Sequence, residues 1–247
     1  MIEQGKGLSP NTSFVLGIGG VVIIGVVVGL FILLGVILKD TKKPITSPRS
    51  IMTTDAVNNP GTAGLDIQLA EITDEDWILG NRDARVSIVE FSDLECPFCK
   101  RFHPTMQQVI EEYGDQVNWV YRHFPLSSLH KKAAREAEAA ECAGELAGNG
   151  GFWAYVDRLF EITPSNDGLL DSQLPQIAQD IGLDRDDFME CLESGRYAQK
   201  VQSHVNQAVA AGGQGTPYSV IVVGDEKIPV SGAVPYSQLK AIIDSVL

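Results

Sequence analysis

Two cysteines separated by two residues directly follow an apolar run with the pattern of a β-strand, and they open a helical stretch. The run covers residues 86–91, and the pair is Cys96 and Cys99. A cysteine at the first turn of a helix faces unpaired backbone N–H groups and the positive end of the helix dipole, which stabilise a thiolate. Cys96 is therefore predicted to be the attacking thiol. Pro97 fits the first helical position. Cys99 lies one turn later on the same side and is predicted to be the resolving thiol.

Two other interpretations of this pair compete with redox chemistry. With His103 the pair supplies three ligands for zinc, but a fourth ligand is missing nearby. Neither Cys142 nor Cys191 belongs to a second pair of this kind, so redox chemistry is favoured and no metal or cofactor is expected. A purely structural disulfide is disfavoured, because so short a loop contributes only about 2 kcal/mol and forms a strained ring.

The region around the cysteines resembles a known family. Residues 88–99 resemble the active-site segment of the thioredoxin superfamily, in particular that of DsbA-like thiol-disulfide oxidoreductases. Residues 121–126 resemble the strand that leads into the helical insertion of that family, and residues 215–217 are similar to its cis-proline loop. The resemblance covers residues 72–247. It implies an α/β thioredoxin-like domain with a helical insertion at about residues 127–211.

The resemblance also implies roles for residues outside the cysteine pair. Glu90, six residues before Cys96, is implied to be a buried acid that takes the proton of the resolving thiol. From the residues alone, a half-exposed strand position is an equally good interpretation of Glu90. Pro217, which follows Thr216, is implied to be a cis proline whose neighbouring backbone binds an extended substrate. Without the resemblance it would be an ordinary turn proline.

Cys142 and Cys191 lie in the helical part of the chain among apolar neighbours at helical spacing, so both are expected to point inward. Two buried free cysteines are one possibility. In an oxidising compartment a disulfide between them is favoured. Closing a loop of about 50 residues would contribute roughly 4 kcal/mol on the chain-entropy model.

The amino-terminal part predicts a membrane anchor. Residues 14–38 carry no charge and are dominated by Val, Ile, Leu and Gly. As a helix they would extend about 37 Å, which spans a bilayer. Lysines follow in place of a small-residue cleavage site, so the segment is predicted to be an uncleaved signal-anchor behind a short tail, residues 1–13. Residues 39–71, with scattered Pro and Gly, are predicted to be a flexible linker.

Charge and cysteine chemistry give opposite indications about location. Lysines after the apolar segment would place the domain in the cytoplasm by the positive-inside rule. Disulfide-forming cysteine pairs work in oxidising compartments. We therefore expect a single-pass protein of the cell membrane with its catalytic domain outside the cytoplasm. The net charge of −13, without a basic cluster, argues against nucleic acid as a partner.

Periodicity and turn residues predict the remaining elements. A capping-box spacing at Thr73 and Asp76 predicts a short helix, and Pro104 is expected to kink the helix that carries the cysteines. Strands are predicted at 117–124, 218–223 and 227–230, and helices at 98–113, 127–147, 152–162, 173–181, 184–194, 197–211 and 236–247.

The expected chemistry is dithiol-disulfide exchange through a mixed disulfide at Cys96. The substrates would be unfolded or partly folded proteins with thiols, and the resemblance implies reoxidation by a membrane partner of the DsbB or vitamin K epoxide reductase type. Phe98 stands where the best-known DsbA enzymes have histidine, and Glu95 adds negative charge beside Cys96. A membrane-tethered disulfide reductase or isomerase is therefore the alternative. A non-catalytic peptide-binding or zinc-binding module is a further one.

Overall fold

The computed structural model describes residues 67–247. The predicted tail, the predicted anchor at 14–38 and most of the predicted linker lie outside the described residues. Within residues 67–247, no helix is both long enough and apolar enough to cross a membrane.

The last residues of the predicted linker belong to the folded domain. Ile67 is buried against the sheet. The carbonyl groups of Ala70 and Glu71 accept hydrogen bonds from the guanidinium of Arg122, at 3.1 and 2.8 Å. The packed domain therefore begins several residues before the predicted boundary at residue 72.

A five-stranded mixed sheet organises the described residues. In space its order is β1-β3-β2-β4-β5. Strands β2 and β3 run parallel, and the other neighbouring pairs run antiparallel. Strand β2 is therefore central, and it ends where the cysteine loop begins. The strands are β1 Trp77–Leu79, β2 Val86–Ser92, β3 Val117–His123, β4 Tyr218–Val223 and β5 Glu226–Ser231.

Helices cover both faces of this sheet. The helices are α1 Pro97–Tyr113, α2 Ala133–Ile162, α3 Leu174–Asp180, α4 Arg185–Ser194, α5 Ala198–Ala210 and α6 Tyr236–Val246. Helices α1 and α6 pack on the face that carries Ile88 and Trp119, whereas α5 packs on the face that carries Val89 and Val120. Helices α2 to α5 form an insertion between β3 and β4. The expected thioredoxin-like fold with a helical insertion is thus confirmed.

Two helix starts differ from the predictions for tertiary reasons. Thr73 and Asp76 form a turn before β1, because the Asp76 carboxylate pairs with Arg122 Nε at 2.8 Å and also accepts from the Thr73 N–H. Helix α2 begins at Ala133, not at residue 127. The backbone before it is held away from helical geometry, because the Leu126 N–H donates to Asp93 at 2.8 Å.

The predicted break at residues 149–151 lies slightly earlier in the structure. Helix α2 kinks at Ala147 and Gly148, whose backbone angles are not helical, and then continues to Ile162. The side chain of Asn149 pairs with both backbone groups of Ile78, at 3.0 and 2.8 Å. The two predicted helices are therefore two arms of one kinked element that is anchored to strand β1.

A disulfide joins Cys142 in α2 to Cys191 in α4, with an S–S distance of 2.01 Å and a sequence separation of 49 residues. Both cysteines are almost completely buried. This is the pairing that the sequence favours over two free thiols. It ties helices α2 and α4 of the insertion together.

Candidate active site

Strand β2 delivers the chain through a short loop to helix α1, and Cys96 is the residue at the helix N-cap. Its backbone is extended, with φ −78° and ψ 122°, and Pro97 occupies the first turn. The Cys96 N–H donates to the Asp93 carbonyl at 3.1 Å, which closes the loop. The side chain of Cys96 is 4% exposed. Its sulfur is therefore largely shielded from solvent, and it lies at the N-terminal end of the helix, where backbone N–H groups can stabilise negative charge.

The two cysteines of the pair have opposite acid-base properties. A hydrogen bond from the Cys99 thiol is the largest cause that lowers the pKa of Cys96, to about 6, and the N–H groups of Phe98 and Cys99 add to it. Cys99 is fully buried, and burial raises the pKa of its thiol well above the usual range. Near neutral pH the thiolate therefore resides on Cys96 and the proton on Cys99. This distribution of charge is the one that an attacking Cys96 and a resolving Cys99 would require, and these two roles stay predictions.

The loop before β4 faces the attacking sulfur. The Thr216–Pro217 peptide bond is cis, and the Thr216 carbonyl accepts a hydrogen bond from the Cys96 thiol at 3.5 Å. An open cleft of about 420 Å³ lies along this loop and reaches Ser231 at the end of edge strand β5. The loop thus presents backbone groups beside Cys96, with space for an extended chain.

Glu90 is buried, which excludes the half-exposed interpretation of this position. Its side chain is 1% exposed and lies on the face of β2 that packs against α1. Burial raises the pKa of Glu90 to about 7. A carboxyl group that titrates near neutrality is well matched to proton transfer with a thiol.

A buried polar cluster that the sequence did not predict holds the loop before Cys96 in place. Asp93 accepts from the N–H groups of Glu95 and Leu126, each at 2.8 Å, and its Oδ2 lies 2.9 Å from Nδ1 of His130. The aspartate side chain is 1% exposed. These contacts connect the cysteine loop to the start of the insertion. His130 received no role from its sequence context, because its partner is 37 residues away.

Glu95, which the sequence indicates as a negative charge beside Cys96, has a carboxyl group of helix α2 as its neighbour. Its side chain is fully buried, and it faces Glu136 from the first turns of α2. Burial, followed by the neighbouring Glu95, raises the pKa of Glu136 to about 10. Two carboxyl groups in one buried site cannot both ionise, so Glu136 keeps its proton at neutral pH. Glu136 therefore adds no negative charge to this site at neutral pH.

A second loop of the insertion also contacts the residue before Cys96. Ser165, Asn166 and Asp167 all have positive φ, at 65°, 54° and 62°. Such a run is unfavourable for residues other than glycine. The Asn166 N–H donates to the Glu95 carbonyl at 2.9 Å. The insertion is therefore attached directly to the cysteine loop.

Phe98 is exposed to solvent, whereas His103 is buried and contacts a carboxylate. Phe98 is 52% exposed, and the guanidinium of Arg101 lies 5.0 Å from its ring centre. His103 is buried beside Trp119, and its Nε2 lies 2.6 Å from Asp157. His103 is thus engaged by a carboxylate. No group of residues in 67–247 has the arrangement of a metal site.

A central strand that runs into a C-x-x-C pair at a helix N-terminus, opposite a cis-proline loop, defines a thioredoxin-fold thiol site. Comparison with known families agrees. A family model described as Thioredoxin matches residues 73–245. The chain belongs to this family, and its helical insertion makes it DsbA-like.

Solved structures resemble most of the described domain. DsbA2 from Pseudomonas aeruginosa is 28% identical, with a TM-score of 0.61, and the match covers 69% of this chain and 93% of that chain. A thioredoxin-like oxidoreductase from Silicibacter pomeroyi is 29% identical, with a TM-score of 0.56, over 70% of this chain and 92% of that one. BdbD from Bacillus subtilis, at 24% identity and a TM-score of 0.59 over 69% and 92% of the two chains, shares the fold.

Curated relatives share a shorter stretch. A protein named Na(+)/H(+) antiporter NhaA 3 from Salinispora tropica is 35% identical over 153 residues, which is 62% of this chain and 22% of that protein. A protein named Na(+)/H(+) antiporter NhaA 1 from Salinispora arenicola is 33% identical over 62% of this chain and 22% of its own length. The chain thus spans about a fifth of the length of these relatives.

Proposed function

We propose that this protein is a thiol-disulfide oxidoreductase that introduces disulfides into proteins outside the cytoplasm through Cys96 and Cys99. The observation that carries the proposal is the opposite shift of the two thiol pKa values within one buried pair. A stabilised Cys96 thiolate favours the reduced form of the enzyme, and a disulfide whose reduced form is stabilised is a good oxidant.

The reaction follows from this asymmetry. A substrate thiolate attacks Sγ of Cys96 in the oxidised pair, and the Cys96–Cys99 bond breaks. Cys99 leaves as a thiolate and takes up a proton, because its burial disfavours the charge. A second substrate thiolate then attacks the substrate sulfur of the mixed disulfide and expels Cys96 as its stable thiolate. The substrate gains a disulfide, and the enzyme is left with two reduced cysteines.

The surroundings of Cys96 fit a polypeptide substrate with thiols. The Thr216 carbonyl and the cleft beside it offer hydrogen-bonding groups to an extended segment. The exposed ring of Phe98 adds an apolar contact next to the reacting sulfur. Unfolded or partly folded proteins expose both backbone hydrogen-bonding groups and apolar side chains. This supports such proteins as the substrate class.

Location and reoxidation are part of the same proposal. The buried Cys142–Cys191 disulfide supports an oxidising compartment for the domain, because such bonds persist there. The apolar segment at residues 14–38 would tether the domain to the membrane. A membrane partner of the DsbB or vitamin K epoxide reductase type would accept the electrons. The antiporter relatives contribute no activity to this proposal, because the chain spans about a fifth of their length.

The decisive experiment is the reduction potential of the Cys96–Cys99 pair in the full chain, measured against glutathione. A value near that of DsbA, about −120 mV, supports the oxidase. A value near that of thioredoxin, about −270 mV, would instead support the alternative, a membrane-tethered reductase or isomerase. The matched control is Cys96→Ser, which removes the attacking thiol. If this variant keeps the function of the wild type, a non-catalytic peptide-binding or zinc-binding module replaces the enzymatic proposal.

A further inference from the structure

A polar cluster lies inside the sheet face that packs against helix α1, directly beneath the resolving thiol. Glu90 and Ser92 alternate along β2 and point to this face. Tyr121 lies opposite Glu90 in the parallel register with β3, and Trp119 lies two residues before Tyr121. All four side chains are at most 1% exposed. Cys99 is fully buried against the same face.

The polar atoms of this cluster are poorly satisfied. Glu90 Oε2, the hydroxyl of Ser92, the hydroxyl of Tyr121 and Nε1 of Trp119 have no well-formed hydrogen bond to any other described residue. Buried polar groups are nearly always hydrogen-bonded, and an exception requires an explanation. Four exceptions in one place indicate a site whose hydrogen bonds change during the reaction.

Ser92 is the member of the cluster that communicates with every other titratable group. Its hydroxyl lies close enough to the carboxyl of Glu90, the thiol of Cys99 and the phenol of Tyr121 to lower the pKa of each, although it forms no well-shaped hydrogen bond to a described residue. A hydroxyl can donate one hydrogen bond while it accepts another. Ser92 is therefore placed between the resolving thiol and the buried acid.

We propose that the Ser92 hydroxyl relays the proton between Glu90 and Cys99 during disulfide exchange, and that Tyr121 steadies the relay as a second donor. This inference rests on the proposed function. When the Cys96–Cys99 bond breaks, the Ser92 O–H gives its proton to the departing Cys99 thiolate and takes the proton of the Glu90 carboxyl. One S–H bond forms, one carboxyl O–H bond breaks, and Ser92 ends unchanged. Reoxidation reverses these transfers.

The buried site requires a proton donor for Cys99. A thiolate left on Cys99 would be an isolated charge in an apolar environment, which is costly. The charged or titratable groups that act on this site are Glu90, Tyr121, Asp93 and the thiol of Cys96. Tyr121 keeps its proton, because burial raises its pKa well above the usual range. Glu90, with a pKa near 7, is thus the proton source that matches neutral pH.

The test is the rate at which reduced glutathione opens the oxidised pair in the full chain, measured from pH 5 to 9 and normalised to the glutathione thiolate. In the wild type this rate is expected to fall as pH rises through about 7, when Glu90 loses its proton. Ser92→Ala should slow the reaction at pH 6 by roughly 10-fold or more, the scale of general acid catalysis, and should abolish the inflection. Ser92→Thr keeps a hydroxyl and should retain the inflection.

Controls separate the relay from a structural effect. Ser87→Ala changes a serine on the opposite face of the same strand and should leave the profile unchanged. The double variant Glu90→Gln with Ser92→Ala should be no slower than Glu90→Gln alone, because both changes interrupt one path. Multiplicative losses in the double variant, or an inflection that persists in Ser92→Ala, would overturn the inference.

A measurement on the wild type alone keeps the inference testable if Ser92→Ala does not fold. The exchange rate is measured in mixtures of H₂O and D₂O and plotted against the fraction of D₂O. A relay moves two protons in one step, so this plot should be curved, whereas the direct transfer of one proton gives a straight line. A straight line would exclude the relay while leaving the exchange activity in place. A wild-type chain that shows no exchange at all would overturn the proposed function itself.

Discussion

The carbonyl oxygen of Thr216 lies 3.5 Å from Sγ of Cys96, although 120 residues separate them along the chain. A carbonyl can accept from a thiol but not from a thiolate or a disulfide sulfur. The contact therefore exists in the protonated state of Cys96 and is released when the sulfur ionises or is oxidised. In those states the carbonyl is free to accept an N–H from the backbone of a substrate.

Replacement of Cys99 should change the acidity of Cys96. The Cys99 thiol supplies the largest single contribution that lowers the pKa of Cys96 to about 6. In Cys99→Ala that hydrogen bond is lost, and the pKa of Cys96 is expected to rise by one unit or more. The matched variant Cys99→Ser keeps a donor and should show a smaller rise. The pKa of Cys96 in each variant is measured from the thiolate absorbance at 240 nm as a function of pH. Equal pKa values in the two variants would contradict the role of the Cys99 hydrogen bond.

Glu90 should make the protein less stable as the pH rises. Its pKa is raised from 4.5 to about 7, so between these values the folded protein holds a proton that the unfolded chain has released. Stability contributed by the protonated group is present below pH 4.5 and is lost as the pH rises through about 7. Glu90→Gln should remove this dependence and gain up to about 3 kcal/mol over the wild type at pH 8. Urea unfolding at pH 4 and pH 8 tests it; an equal difference between the two proteins at both pH values would refute the prediction.

Glu141 should have the opposite dependence. Burial alone would raise its pKa, but His123 and Lys200, whose nitrogens lie 3.2 and 2.7 Å from its carboxylate, lower it to about 2. The stability from this group is present above pH 4.5 and is lost as the pH falls toward 2. Glu141→Gln should cost about 3 kcal/mol or more at pH 7, because it leaves a buried network without its anion.

A surface ion pair provides the control for Glu141. Asp74 and Arg82 form a contact of 3.2 Å between well-exposed side chains. Asp74→Asn should therefore cost less than about 1 kcal/mol in urea unfolding at pH 7. Similar losses in Asp74→Asn and Glu141→Gln would show that the buried network does not contribute as argued.

Substitutions of Glu136 should distinguish a protonated carboxyl from a charged one. Because Glu136 keeps its proton beside Glu95, Glu136→Gln replaces one neutral donor with another. It should change the free energy of unfolding by less than about 1 kcal/mol at pH 7. Glu136→Ala removes the donor, leaves Glu95 without its neighbour and should cost roughly 3 kcal/mol or more. The prediction fails if the two variants are equally destabilised in chemical denaturation.

The local parts of the site were predictable, because neighbouring residues create them. A strand that ends just before Cys96 and a helix that begins at Pro97 follow from periodicity and from the proline itself. The redox roles predicted for the two cysteines rest on that placement. The cis-proline loop and the buried Glu90 came only from the resemblance, because burial and isomer state are properties of the folded chain.

Longer-range contacts explain what the sequence analysis missed. Glu136 lies 41 residues after Glu95 and carries no local sign of a partner. The capping-box spacing at Thr73 predicted a helix, but the Asp76 carboxylate is taken by Arg122, which lies 46 residues further on. In each case a side chain that appears available locally has a stronger partner elsewhere in the fold.

The buried bridge between Cys142 and Cys191 means that the protein must acquire a disulfide of its own before it can carry out the proposed reaction. Its sulfurs are buried inside the insertion, so an oxidant can reach them only before the chain has fully folded. Each copy thus depends for its own maturation on the kind of chemistry that its Cys96–Cys99 pair is proposed to perform. A first generation of oxidised molecules, or a separate oxidant, must exist before a population of this protein can sustain itself.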